Sequence, residues 1–289
     1  MDNLIGIYEK ALPESYDINE KLECTARLGF DFMELSIDES DDRLERLYYN
    51  SGQTEEIRNA IWASGIQIPT MCLSAHRKYP FGSRDPAVRS KALEIMDRAI
   101  SLACDIGIRV IQLAGYDIYY EASGPDTRAY FMEGLREALK IAARKQIILA
   151  VEIMDTSFIN SITRFMEVYN KIPSPWLAVY PDLGNLTAWG NDVEHELALG
   201  IDRIVGIHVK ETLPVSPGFP GQFRDVPFGR GTVDFDLCFK TLKCLDYHGP
   251  FLIEMWNVKG SSPRDTEMTI LEAKDFIVSK IKKAYHSCN

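Results

Sequence analysis

Short apolar runs alternate along the chain with longer segments in which apolar residues recur every three to four positions. The runs occupy residues 4–8, 32–35, 68–73, 109–113, 147–153, 177–180, 204–209 and 251–255. Most are continuously apolar rather than alternating, the pattern of strands covered by protein on both faces. Helical segments fall between them, at 17–28, 54–64, 86–106, 126–145, 159–170, 192–199, 235–245 and 264–285. Gly29, Gly65, Gly107 and Gly200 each stand just after a helix and before the next strand, where a left-handed C-cap is expected.

Eight strand-then-helix units with right-handed crossovers close into a barrel, so the expected fold is α/β, a single (β/α)8 TIM-barrel domain over residues 1–289. A doubly wound open sheet is the alternative, but no Gly-rich phosphate loop follows the first run. No linker or shift in composition divides the chain. Residues 211–231, between the seventh strand and its helix, form a long Pro- and Gly-rich stretch, expected to be a lid or substrate loop.

Composition narrows the function. Hydrophobic residues make up 46% and charged residues 26% of the 289, as in a soluble protein with a full core. A net charge of −10 argues against nucleic acid as partner, though a small phosphorylated substrate needs only a few local cations. The six cysteines (Cys24, Cys72, Cys104, Cys238, Cys244 and Cys288) form no C-x-x-C pair and read as reduced, mostly buried thiols. No charged-then-apolar leader opens the chain, and no apolar run nears the ~18 residues of a membrane span. The cytoplasm is the expected location.

In a TIM barrel, chemistry sits at the carboxyl ends of the strands. Four consecutive runs each deliver one metal-competent side chain there: Glu152 in "IILAVEIMD", Asp182 in "LAVYPDLGN", His208 in "RIVGIHVK" and Glu254 in "FLIEMWN". Three carboxylates buried together without a cation would cost on the order of several kcal/mol each. With one imidazole they suit a single divalent ion, Zn²⁺, Mn²⁺ or Co²⁺ ahead of Mg²⁺. Glu152 and Glu254 stand three strands apart around the wall and approach a central ligand from different sides. Two such carboxylates suit proton transfer at a carbon beside a carbonyl, one abstracting and the other returning a proton to the opposite face. Glu34 ends the second run and reads as a structural residue or a hydroxyl contact, not a fifth ligand. Asp234 reads as the N-cap of the helix that follows it. Tyr8, Gln112, Tyr116, Trp189 and Trp256 fall near the same rim, where they either wall a ligand or simply pack the barrel top.

The spacing of those four residues, the "HVK" of the seventh run and "PFGRGTVDF" (227–235) resemble the xylose-isomerase-like barrel superfamily of sugar epimerases and isomerases. Within it, five further motifs are similar to the L-ribulose-5-phosphate (L-xylulose-5-phosphate) 3-epimerases across nearly the whole chain. They are "GIYEKALP" (6–13), "GFDFMELSIDE" (29–39), "MCLSAHRKYPFGS" (71–83), "VIQLAGYD" (110–117) and "YPDLGNLTAW" (180–189). The resemblance implies a ketose phosphate inverted at C3, interconverting L-xylulose 5-phosphate and L-ribulose 5-phosphate. It assigns proton transfer to Glu152 and Glu254, which are also metal ligands, with Asp182 and His208 completing the set, and it implies a homodimer. Many ketose epimerases of the superfamily carry a histidine three residues after the metal aspartate. Asn185 stands there in this chain, and its amide can still donate to a substrate oxygen.

A phosphate needs cations or free amides. Lys10 after the first strand, with Ser74, His76 and Arg77 after the third, place a phosphate pocket in the amino-terminal half. Arg224, in the long loop, can close over substrate, and the amides of 229–231 are the alternative pocket. Two other reactions share the barrel. One is aldose–ketose isomerisation, or epimerisation of another sugar such as a hexulose 6-phosphate. The other is phosphodiester hydrolysis of the apurinic-endonuclease type, whose multi-metal cluster needs many histidines. The chain has five (His76, His195, His208, His248 and His286), which disfavours it.

Overall fold

A computed structural model describes residues 3–286. Its eight strands are β1 (Ile5–Tyr8), β2 (Phe32–Ile37), β3 (Gln67–Leu73), β4 (Val110–Ala114), β5 (Ile148–Glu152), β6 (Leu177–Tyr180), β7 (Ile207–Val209) and β8 (Phe251–Ile253). All neighbours run parallel, in the order β6-β5-β4-β3-β2-β1-β8-β7. The ends of that row meet through isolated parallel bridges, Val179 to Ile204 and Asp182 to His208, so the sheet curls into a TIM barrel with its seam between β6 and β7.

The seam explains why β7 is shorter than the apolar run at 204–209. A Cβ on Gly206 would lie 2.7 Å from the Tyr180 ring, so this glycine lets the tyrosine pack where a side chain would otherwise project. The chain reaches β6 there through single contacts, His208 N–H donating to the Pro181 carbonyl at 2.9 Å and Val205 N–H to Val179 at 3.4 Å.

Among the described residues ten α-helices accompany the strands: α1 (Ile18–Arg27), α2 (Asp41–Glu45), α3 (Ser51–Ser64), α4 (Pro86–Ile106), α5 (Pro125–Lys145), α6 (Ile162–Tyr169), α7 (Leu183–Ala188), α8 (Val193–Gly200), α9 (Phe235–Cys244) and α10 (Pro263–His286). Their termini follow side-chain chemistry. Asp17 and Glu20 form a reciprocal capping box at α1, and Asp234 accepts from Leu237 N–H at 2.9 Å to cap α9, as the sequence predicts. Gly65 (φ 73°) and Gly107 (φ 90°) end α3 and α4 in the left-handed conformation. Gly200 does not: its φ is −98°, and the chain runs on into a further helical turn. A Cβ there would meet Ile162 Cγ2 at 2.8 Å, so the glycine serves the approach of α8 to α6.

Between sheet and helices lies an apolar layer that includes Ile7, Met33, Ile111, Val151, Val179 and Phe251, all buried. Each such side chain contributes about 1.5–3 kcal/mol by leaving water. One charge cluster is buried beside it. Glu9, in the turn after β1, receives Arg43 at 2.7 Å, Arg46 at 2.8 Å and Lys21 at 3.1 Å, and accepts from Ser36 N–H at 2.8 Å. Burial would raise its carboxyl, but the three cations, Arg46 foremost, hold it far below the usual carboxylate range. The cluster fixes the turn that carries Lys10.

Cys24, Cys72 and Cys238 are buried and Cys104 and Cys244 exposed, all with free thiols; Cys288 lies outside the described residues. Among the described residues no helix is long and apolar enough to cross a membrane.

Candidate active site

Glu152 is the last residue of β5, Asp182 lies two residues beyond β6, His208 is the middle of β7, and Glu254 follows β8 directly. They share a level: Asp182 is bridged to His208, and Glu254 N–H donates to the Val209 carbonyl at 3.0 Å. One ligand atom from each lies within 4.8 Å of the others, and all four residues are buried. His208 Nδ1 is 2.9 Å from Glu152 Oε1 and 3.7 Å from Glu254 Oε2. The Gln112 amide bonds the other Glu152 oxygen. Tyr180 meets the His208 ring edge-on, 4.7 Å between centroids.

Two further charged residues border this cluster. Glu34, on β2, brings Oε1 to 3.0 Å from His208 Nε2. Lys210 brings Nζ to 2.8 Å from Asp182 Oδ2 and 2.9 Å from Glu254 Oε2. Lys210 was legible in "HVK", because residues two apart on a strand point to the same face, and His208 already occupied that face. Gly184 makes the contact possible: a Cβ there would lie 2.7 Å from the Lys210 carbonyl.

The electrostatics are those of a site with too little positive charge. Four buried carboxylates face one ammonium and one imidazole. Burial pushes Asp182 up to about 7 despite Lys210, and it raises Glu152 against the pull of His208. At Glu254 burial is outweighed by Lys210 and His208, which hold it at about 2. Lys210 itself, though buried, is kept protonated by Asp182 and Glu254. Asp182 Oδ2 and Glu254 Oε2 are nonetheless buried without a hydrogen-bond partner, since the lysine touches them by distance and not by direction. Carboxylates buried in excess of the positive charge around them fit a divalent cation, and these four residues could hold one.

Above the cluster opens a cleft of about 500 Å³, counting the part open to solvent. Its walls include Glu152 and Glu254 and also Lys10, Ser74, Arg77, Asn185 and Arg224, with Tyr8, Lys210 and Trp256. Lys10 is ion-paired with Asp38. Arg77 lies over the Tyr119 ring at 4.6 Å, its Nε buried without a partner. Arg224, exposed, lies 4.9 Å above the Trp256 ring. Thus five of the six residues expected to contact substrate line one cleft.

His76 does not. Its side chain turns into the protein, Nε2 lying 3.1 Å from the Ala92 carbonyl and the ring 4.5 Å from Phe81. Burial lowers it to about 4, so it is neutral and offers no charge to a phosphate. Asn185 also differs from expectation. Its NH2 donates to the Ile153 carbonyl at 2.8 Å, leaving Oδ1, an acceptor, as the unpartnered end. The alternative phosphate nest at 229–231 is filled by the chain's own Glu211, which accepts from Gly229 N–H at 2.9 Å and Val233 N–H at 3.0 Å. That carboxylate pins the long loop, which carries a small antiparallel turn (Leu213 to Gln222) and seats Phe223 against Trp189.

The profile of the family described as xylose isomerase-like TIM barrel matches residues 22–279. SgbU of Escherichia coli strain K12, provisionally named an L-ribulose-5-phosphate 3-epimerase, is 53% identical over 284 residues, 98% of either chain. UlaE of Escherichia coli strain SMS-3-5, named L-ribulose-5-phosphate 3-epimerase, is 49% identical over 280 residues, 97% of this chain and 95% of its own. A crystal structure of D-psicose 3-epimerase with D-tagatose, from Clostridium cellulolyticum H10, superposes with a TM-score of 0.80 at 17% identity. It covers 96% of this chain and 99% of its own, a likeness of fold.

Proposed function

The chain belongs to the xylose isomerase-like TIM-barrel family, as a sugar epimerase akin to the L-ribulose-5-phosphate 3-epimerases, and we propose that it interconverts L-xylulose 5-phosphate and L-ribulose 5-phosphate by inversion at C3. The observation that carries this reading is the placement of Glu152 and Glu254 around one buried position, both within reach of His208 Nδ1. Coming from β5 and β8, they flank whatever is held between them.

Glu152, Asp182, His208 and Glu254 would hold a divalent ion, with zinc, manganese or cobalt favoured by the donor set, and when bound it would supply positive charge that makes the proton next to a carbonyl easier to remove. One glutamate takes the C3 proton and leaves an enediolate; the other gives a proton to the opposite face, and the roles exchange in the reverse direction. Gln112 holds Glu152 in place for this. Lys210 keeps an ammonium beside Glu254 and lines the cleft where the sugar's oxygens would lie.

The phosphate is assigned to the side of Lys10, Ser74 and Arg77, with Arg224 above it. Support comes from the other side of the cleft. A second hollow of about 830 Å³, again counting the part open to solvent, adjoins at Lys210, Glu254 and Trp256, and apart from Thr269 its remaining walls are apolar or acidic, including Phe228, Phe276, Asp225 and Glu272. An anion would be repelled there.

The test is turnover of L-ribulose 5-phosphate by Glu152→Gln and Glu254→Gln. Each is expected to keep the wild-type circular dichroism spectrum and to lose about 10³-fold or more in rate, within the range of a lost general base. Near-normal turnover in either variant would contradict a two-glutamate mechanism.

A further inference from the structure

Glu34 lies on the far side of His208 from the ligand cluster. Its Oε1 is 3.0 Å from Nε2, while Nδ1 faces Glu152 and Glu254. The two ring nitrogens point away from each other, so a carboxylate at Nε2 cannot share an ion with Nδ1. Glu34 is therefore no fifth ligand, and it stands outside the four residues whose donor atoms converge. It is fully buried in the middle of β2, in register with Tyr8 on β1 and Thr70 on β3. Among the described residues no lysine or arginine pairs with it, and its second oxygen has no hydrogen-bond partner. A buried carboxylate so placed is destabilising, and an apolar residue of similar size would fill the space without that cost. Its one charged contact is the imidazole, which points to what the charge is for.

We propose that Glu34 is a positioning residue of the metal site: it accepts a hydrogen bond from His208 Nε2–H, fixing the ring's orientation and tautomer so that the Nδ1 lone pair is directed at the ion. A carboxylate behind a ligating histidine also strengthens the ligand by drawing on its N–H, and removal of such partners weakens metal binding by about 10–100-fold. This rests on the metal reading of the preceding section.

Zn²⁺ is the probe. Chelator-stripped protein reloaded with zinc is examined by long-range ¹H–¹⁵N NMR of the imidazoles, with His208 assigned by the loss of its signals in His208→Gln. Zinc affinity is measured by competition with a chromophoric chelator. The wild type is expected to show His208 protonated at Nε2 and zinc-bound at Nδ1. Glu34→Leu should bind zinc about 10–100-fold more weakly, and Glu34→Gln, whose amide oxygen can accept the same bond, should recover most of that loss. An Nε2 without a proton in the zinc-loaded wild type would overturn the proposal even if Glu34→Leu failed to fold. So would wild-type affinity in a folded Glu34→Leu. A wild type that binds no zinc would overturn the metal reading together with this proposal, whereas tight binding with the wrong tautomer would overturn this proposal alone.

Discussion

The side-chain NH2 of Asn185 donates to the main-chain carbonyl of Ile153 across 2.8 Å, and that bond decides which end of the amide is left for a ligand. A carbonyl can only accept, so the NH2 must face it, and Oδ1 remains buried without a partner beside the cleft that Asn185 lines. The main-chain N–H of the same residue donates to Asp182 Oδ1 at 2.8 Å, tying the position to the ligand cluster. A free acceptor next to the candidate metal site is suited to a substrate hydroxyl.

Asn185→Leu, which removes the acceptor and leaves the main-chain bond to Asp182, should lower kcat/KM by about 10–100-fold, the cost of one unmade buried hydrogen bond of ~1–3 kcal/mol. Metal content should not change. Steady-state kinetics with metal analysis would check this, and an unchanged kcat/KM would remove Asn185 from the substrate contacts.

Arg77→Met should discriminate between substrates. Loss of a charge-assisted contact to phosphate is worth about 1.5–3 kcal/mol, or roughly 10–100-fold in kcat/KM. That loss is expected for L-ribulose 5-phosphate and not for unphosphorylated L-ribulose. Equal losses on both sugars would place the phosphate elsewhere. Lys10 should matter less than Arg77, because Asp38 already holds its ammonium.

The barrel and its four candidate ligands were legible because both rest on local signals. Continuous apolar runs mark strands buried on two faces; Glu152, His208 and Glu254 lie in such runs and Asp182 two residues beyond another. What the sequence concealed depends on direction in space. Nothing local to "SAHRK" says that His76 turns inward onto Phe81 while Arg77 faces the cleft one residue later. Glu34 and His208 are 174 residues apart, so their contact exists only once β2 and β7 face each other across the barrel. Lys210 was within reach of strand periodicity, its spacing of two from His208 being the signal.

Removal of metal should abolish activity without unfolding the barrel, whose core is elsewhere. Dialysis against a chelator is expected to leave the circular dichroism spectrum intact and to eliminate turnover, with recovery on addition of Zn²⁺, Mn²⁺ or Co²⁺. Full activity in metal-free protein would contradict the metal reading. The bare carboxylates should also leave the stripped protein less stable, by about 1–3 kcal/mol in urea titrations, since ligands that bind only the folded state add to its stability.

His76 should make stability fall in acid. Its folded value of about 4 lies below the ~6.5 of an unfolded histidine, so the neutral ring is the folded form. The stabilisation is complete above about pH 6.5 and is lost as pH falls towards 4, by up to roughly 3 kcal/mol. Urea midpoints of the wild type and His76→Gln at pH 7.5 and 5 would check this. The wild type should lose more between the two values, and parallel losses would contradict the assignment.

The central claim is inversion at C3 by proton exchange, and proton NMR of L-xylulose 5-phosphate incubated with the metal-loaded enzyme in D₂O tests it most directly. The C3 proton signal should disappear as deuterium enters there, while L-ribulose 5-phosphate accumulates and the C1 protons persist. Deuterium at C1, or no incorporation at any carbon, would contradict the account.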